Sequence, residues 1–138
     1  KKHGIHPGRD EKNGIYCTTG SLGQGLPIAL GMAIANRTKN VYCLISDGET
    51  AEGSVWETLR IKTDNKIDNL KIYINLNGYG AYGAIDFTKL TKRLRVFCPD
   101  IKIRRTNVEQ LPFLKGQDAH YHVMTKENYA QAMNLLKL

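Results

Sequence analysis

Cysteine is scarce in this 138-residue chain: there are three, Cys17, Cys43 and Cys98, and no Cys-x-x-Cys pair. An odd number at wide spacing argues against a disulfide framework or a cysteine-rich zinc site, and suits free thiols in a reducing compartment. Long hydrophobic runs are missing too. The most apolar stretch, Leu22 to Ala35, is too short to cross a bilayer and carries Gln24 and Pro27. No secretory leader is visible at Lys1-Lys2-His3-Gly4, so the Asn36-Arg37-Thr38 sequon reads as accidental. A cytoplasmic location is the expectation, with no membrane partner. Repeats, linkers and low-complexity tracts are also absent, which leaves a single domain over residues 1–138.

Positive charge is what the chain has in excess, at a formal +7. The basic residues are spread through Lys1 to Lys12, Arg60 to Lys71, Lys89 to Arg95 and Lys102 to Arg105. They alternate with apolar residues, with no glycine-arginine tract and no RNA-binding signature. A solvated surface is therefore favoured over a nucleic-acid-binding protein. A third use for this charge is to attract phosphorylated ligands.

Residues 1–19 read as loop, and Ser21 is placed to cap a helix running to Asn36. Short apolar runs at Val41–Ser46, Leu70–Leu76 and Ile101–Thr106 read as strands. Helical spacing falls between and after them: Ser54–Lys62 with Val55, Leu59 and Lys62 in register, Phe87–Phe97 with Leu90 and Leu94, and Thr125–Leu138. Pro99 stops the Phe87–Phe97 helix. In the last, Thr125 is the cap and Tyr129, Ala132, Met133 and Leu136 are the apolar stripe. Such alternation predicts an α/β fold with a mainly parallel sheet, which binds ligands at the carboxyl ends of its strands.

Two strands end in polar residues suited to ligand work. The first runs out into Ser46-Asp47-Gly48-Glu49, the second into Asn75-Leu76-Asn77-Gly78. If these strands are parallel neighbours, Asp47 and Asn77 leave the sheet at one edge. Two hard oxygen donors, a backbone carbonyl and diphosphate oxygens would complete an octahedral Mg²⁺ site. Gly78-Tyr79-Gly80-Ala81-Tyr82-Gly83 also fits a dinucleotide fingerprint. However, the following strand ends in Thr106-Asn107, with no acidic residue for a ribose hydroxyl.

Asp47-Gly48, about thirty residues, then Asn77 resembles the thiamine diphosphate motif. Asp47-Gly48-Glu49-Thr50-Ala51-Glu52-Gly53-Ser54-Val55-Trp56-Glu57 and Thr19-Gly20-Ser21-Leu22-Gly23-Gln24-Gly25-Leu26 resemble transketolases in particular. So do Lys66-Ile67-Asp68-Asn69-Leu70 and the later Leu111-Pro112-Phe113-Leu114-Lys115-Gly116. The resemblance implies a three-layer α/β/α thiamine-diphosphate-binding fold, here reduced in size, because little chain separates Asn77 from the closing segment. It implies that Asp47, the Asn77 side chain and the Tyr79 carbonyl hold Mg²⁺. Gly48 and Glu49 would meet the diphosphate, and Gly20 and Leu22 the cofactor rings. His6 and His120 correspond to histidines near substrate, and Glu52 and Glu57 to carboxylates that couple paired sites across a dimer. Ser46 departs from the family's usual glycine. The activating glutamate belongs to a separate pyrimidine-binding domain that this sequence lacks. The implied function is therefore the cofactor-binding half of an enzyme for ketol transfer between sugar phosphates. Its partner would be a pyrimidine-binding domain or subunit in a homo- or hetero-oligomer; a non-catalytic cofactor-binding module is the alternative.

Overall fold

The computed structural model describes residues 4, 6–80, 83–107, 111–116, 119 and 122–136. Its regular elements are α1 (Gly25–Ala35), β1 (Val41–Ser46), α2 (Gly53–Asp64), β2 (Leu70–Leu76), β3 (Tyr79–Gly80), β4 (Gly83–Ala84), α3 (Phe87–Phe97), β5 (Lys102–Arg105) and α4 (Lys126–Leu136). β1, β2 and β5 form a parallel sheet with β2 in the middle. The register sets Val41 beside Leu70 and Ser46 beside Asn75, so β1 and β2 end within one residue of each other. This satisfies the condition for Asp47 and Asn77 to emerge at one edge.

Side-chain alternation decides which face is core. Cys43 and Ile45 of β1 and Ile72 and Ile74 of β2 are buried with Leu26 and Leu30 of α1, Leu59 of α2 and Leu94 of α3. The chain passes to successive neighbouring strands, and α2 packs against both α1 and α3 over that same face. The fold is thus α/β with a parallel sheet, and α1–α3 supply one helical layer. On the opposite face of β1, Tyr42 and Leu44 are 67% and 73% exposed among the described residues.

The first helix begins later than its sequence suggests. Residues 21–24 form a turn, and α1 starts at Gly25 with no side-chain cap. Gly23 is the reason: its φ is +77°, and a Cβ there would lie 2.6 Å from the Glu52 Cβ. Left-handed backbone cannot continue a right-handed helix, and the close approach excludes any larger residue. Ser54 Oγ donates to the Gly23 carbonyl at 3.2 Å, fixing this turn against the start of α2.

Two other departures are local. Lys62, on the apolar stripe of α2, is 3% exposed because its ammonium reaches both Asp100 oxygens at 2.9 Å. At α4, Thr125 Oγ1 accepts from Asn128 N–H as expected of a cap, and Ala132 is buried. Tyr129 and Leu136, assigned to the apolar stripe, are instead 59% and 50% exposed among the described residues. All three cysteines are free thiols. Burial, with the nearby Glu49 charge, pushes Cys43 up to about 11; burial and the bond to Asp100 push Cys98 up to about 11. Both stay protonated at neutral pH, which makes them poor nucleophiles. No helix among the described residues is long and apolar enough to cross a membrane.

Candidate functional site

The carboxyl edge of β1 and β2 gathers the polar residues. Asp47 follows the last residue of β1, and its N–H donates to the Asn75 carbonyl at 3.0 Å, extending the ladder by one step. Its side chain is fully buried. Oδ1 accepts from Gly48 N–H at 3.1 Å and Oδ2 from Gly78 N–H at 2.7 Å. The second contact ties the exit of β1 to the exit of β2. One residue away, Asn77 Oδ1 accepts from Tyr79 N–H at 2.9 Å.

No lysine, arginine or histidine forms an ion pair with Asp47 among the described residues. An ionised carboxylate without a countercharge is costly to bury, and two N–H bonds offset only part of that cost. A divalent cation would offset the rest. The described residues hold no group of three or more His, Cys, Asp or Glu side chains that could bind a metal. The edge carries instead one buried carboxylate, Asp47, and the amide oxygen of Asn77, hard oxygens of the type that suits Mg²⁺ or Ca²⁺.

The loop carrying Asn77 and Tyr79 is braced from behind. Gly78 has φ +89°, and a Cβ there would meet the Phe87 ring at 3.1 Å. The Arg105 guanidinium lies 4.5 Å from the centroid of that ring. Gly78 carbonyl accepts from Ile85 N–H at 2.8 Å, closing the β3–β4 hairpin (Tyr79 beside Ala84) over the site. A glycine is needed at position 78 on both counts, conformation and contact. The hairpin, Phe87 and Arg105 were not foreseen. Two-residue strands carry no periodicity, and a ring meeting a glycine nine positions earlier leaves no pattern in the sequence.

Other expected site residues fall in separate places. Glu49 turns back on the strand, its Oε2 accepting from Ser46 N–H at 2.8 Å, so its carboxylate serves the turn rather than an open site. Gly20 and His6 come together, with the imidazole Cγ 3.3 Å from where a Gly20 Cβ would stand. Thr19 N–H donating to the Pro7 carbonyl at 3.1 Å holds those two loops side by side. No hydrogen bond or ion pair joins His6 to Asp47 among the described residues. Leu22 is 44% exposed. Glu52 is half-buried against Gly23, whereas Glu57 is exposed on α2. His120 lies outside the described residues.

A cleft of about 320 Å³ opens next to Asp47 and Gly48. Trp56, Ile85 and Leu90 line it with apolar surface, and Lys89 and Arg93 with charge. Trp56 is held by its indole N–H, which donates to the Thr50 carbonyl at 2.8 Å, and by an edge-on contact with Phe97 at 5.1 Å.

Comparison with known proteins gives the family. The family described as "Transketolase, thiamine diphosphate binding domain" matches residues 1–97. Transketolase from Pongo abelii is 46% identical over 67 residues, which are 45% of this chain and 11% of that protein. Transketolase-like protein 2 from Bos taurus is 40% identical over 89 residues, 61% of this chain and 14% of that protein. One subunit of the apulose-4-phosphate transketolase from Actinobacillus succinogenes is 41% identical over 76 residues, 52% of this chain and 28% of that protein. The matched region is thus a small part of each of these relatives. With the family match reaching from residue 1 through α3, the chain belongs to the transketolase family, as a thiamine-diphosphate-binding domain of its N-terminal type.

Proposed function

We propose that this chain holds thiamine diphosphate through Mg²⁺ and serves as the cofactor-binding half of a transketolase-type transferase acting on sugar phosphates. The observation that carries the reading is Asp47, fully buried at the sheet edge with no cationic side chain paired to it among the described residues. Its carboxylate would hold the ion with the Asn77 amide oxygen and the Tyr79 carbonyl, a donor set matched to Mg²⁺. Gly48 N–H, which here donates to the Asp47 carboxylate, would turn to a diphosphate oxygen once the ion is bound. The acceptor oxygens of Asp47 and Asn77 are fixed by bonds from Gly48, Gly78 and Tyr79 N–H. When bound, the cofactor supplies the carbon nucleophile and electron sink for moving a two-carbon ketol unit.

His6, resting on Gly20, would orient the sugar, and His120 would act near the diphosphate and substrate. Glu52 and Glu57 would couple paired sites across an interface. Nothing in the chain corresponds to the activating glutamate, so a pyrimidine-binding domain or subunit is the proposed partner. Two observations support a partner. The Actinobacillus succinogenes relative is itself named as one subunit of a transketolase. The outer side of α1 leaves Ile28, Met32 and Ile34 between 39% and 53% exposed, more apolar surface than a solvated helix needs. A cytoplasmic location fits the free thiols.

The test is reconstitution. The purified chain alone is expected to show no ketol transfer, and addition of a pyrimidine-domain subunit is expected to restore turnover and tighten cofactor binding. Robust transfer by the chain alone would end the half-enzyme reading.

A further inference from the structure

The cleft beside Asp47 contains two cations that the cofactor reading leaves without a task. Lys89 and Arg93 are four residues apart on α3, so they share one helix face, and both line the cleft. Lys89 is partly answered: its ammonium stands 3.6 Å from an Asp86 carboxylate oxygen, and its N–H donates to Asp86 at 3.0 Å. Arg93 forms no ion pair or hydrogen bond among the described residues. The other carboxylate of the cleft, Asp47, is committed to the N–H groups of Gly48 and Gly78. Of the four charged side chains that line the cleft, Arg93 is thus the one with neither an ion pair nor a hydrogen bond among the described residues.

We propose that Arg93, assisted by Lys89, forms a phosphoryl-binding wall of the cleft beside Asp47. The planar guanidinium offers paired N–H donors matched to two phosphate oxygens, and the ammonium one turn away adds a point charge. Gly48 and Gly83 also line the cleft, and without side chains they leave the backbone open to close approach. A space of about 320 Å³ admits a phosphoryl group with its waters or the end of a larger ligand. The phosphoryl group is either the cofactor's diphosphate or the phosphate of a sugar substrate. The assignment deepens the cofactor reading and rests on it for the identity of the ligand, though not for the chemistry of the wall.

The cleft has its own reporter, because Trp56 lines it and is the chain's single tryptophan. Emission would be followed while the purified chain is titrated with inorganic pyrophosphate, with thiamine diphosphate and Mg²⁺, and with ribose 5-phosphate. Arg93→Gln should weaken pyrophosphate binding about tenfold, and Lys89→Gln by less, as expected for losing one charge-assisted contact. Both positions are exposed, so far-ultraviolet circular dichroism and the melting temperature should stay at wild-type values. If Arg93→Gln also weakens thiamine diphosphate, the wall serves the cofactor. If it spares that ligand and weakens ribose 5-phosphate, the wall serves the substrate. Asp47→Asn should lose metal-dependent cofactor binding while keeping metal-free pyrophosphate binding, so the two ideas fail separately. Unchanged affinity of the Lys89→Gln/Arg93→Gln double variant for all three ligands would overturn the wall.

Discussion

The sheet edge at Asp47 and the outer side of α1 are incomplete in opposite ways. At the edge, a carboxylate is sealed from water with N–H groups around it but no countercharge among the described residues. Along α1, apolar side chains stand in water, although Leu26, Leu30 and Ala33 on the inner side are covered. One region lacks a charge to balance; the other lacks a surface to bury against. The difference separates two kinds of partner, since an ion can complete the first and only another apolar surface the second. It follows that changes at one region should leave the other's behaviour intact.

The largest expected effect comes from Gly78→Val. The variant places a β-branched residue at positive φ and drives it into the Phe87 ring, displacing the N–H that meets Asp47. Mg²⁺-dependent thiamine diphosphate binding should fall by about a hundredfold or more, with roughly 2 kcal/mol of stability lost to backbone strain. Calorimetry and a denaturant titration measure the two effects. Association through α1 should not change.

The converse variant is Met32→Glu. It puts a charge in the middle of the exposed apolar side of α1 and should weaken association at least about tenfold by analytical ultracentrifugation. Stability of the chain should stay within about 0.5 kcal/mol, because the site is on the surface. Cofactor binding lost to the same degree in Met32→Glu would merge the two regions and break the comparison.

Gly20→Val should block cofactor binding while sparing the fold, since Gly20 lies in a loop against His6. A circular dichroism spectrum beside the binding curve separates these, and loss of the fold would assign Gly20 to packing. The smallest effect belongs to Lys62→Met, remote from both regions. It removes the buried partner of Asp100, whose carboxylate is 56% exposed and can rehydrate. The cost should be about 1–2 kcal/mol, below that of a fully buried pair. Burial raises the Asp100 pKa, but the Lys62 and Cys98 hydrogen bonds outweigh it and hold the group below the usual carboxylate range. The folded-state value is thus depressed, and its contribution is present at neutral pH and lost as pH falls below the ordinary carboxylate range. Acid titration of Lys62→Met should lack that loss.

How legible each region was depends on how local its cause is. β1, β2 and α3 have the ends their residues suggest, because β-branched runs, the Asp86 side chain accepting from Lys89 N–H, and Pro99 act within a few positions. The pairing of Asp47 with the Asn77 loop was legible once two short apolar strands were taken as parallel neighbours. The start of α1 was not, because Gly23 is shaped by Glu52 and Ser54 from a different element. Lys62 read as in register with Val55 and Leu59, but the reason a lysine can be buried there, Asp100, lies 38 residues later. The cleft wall lay between these extremes. Lys89 and Arg93 were visible as basic residues, but only the fold brings them beside Asp47.

The central claim is that Asp47 binds cofactor through a metal. Calorimetric titration of thiamine diphosphate into the chain, in Mg²⁺ and then in excess chelator, tests it most directly, with Asp47→Ala run in parallel. Binding should be present with Mg²⁺, lost with chelator and absent from Asp47→Ala under both conditions. Equal affinity of Asp47→Ala and wild type in Mg²⁺ would contradict the account.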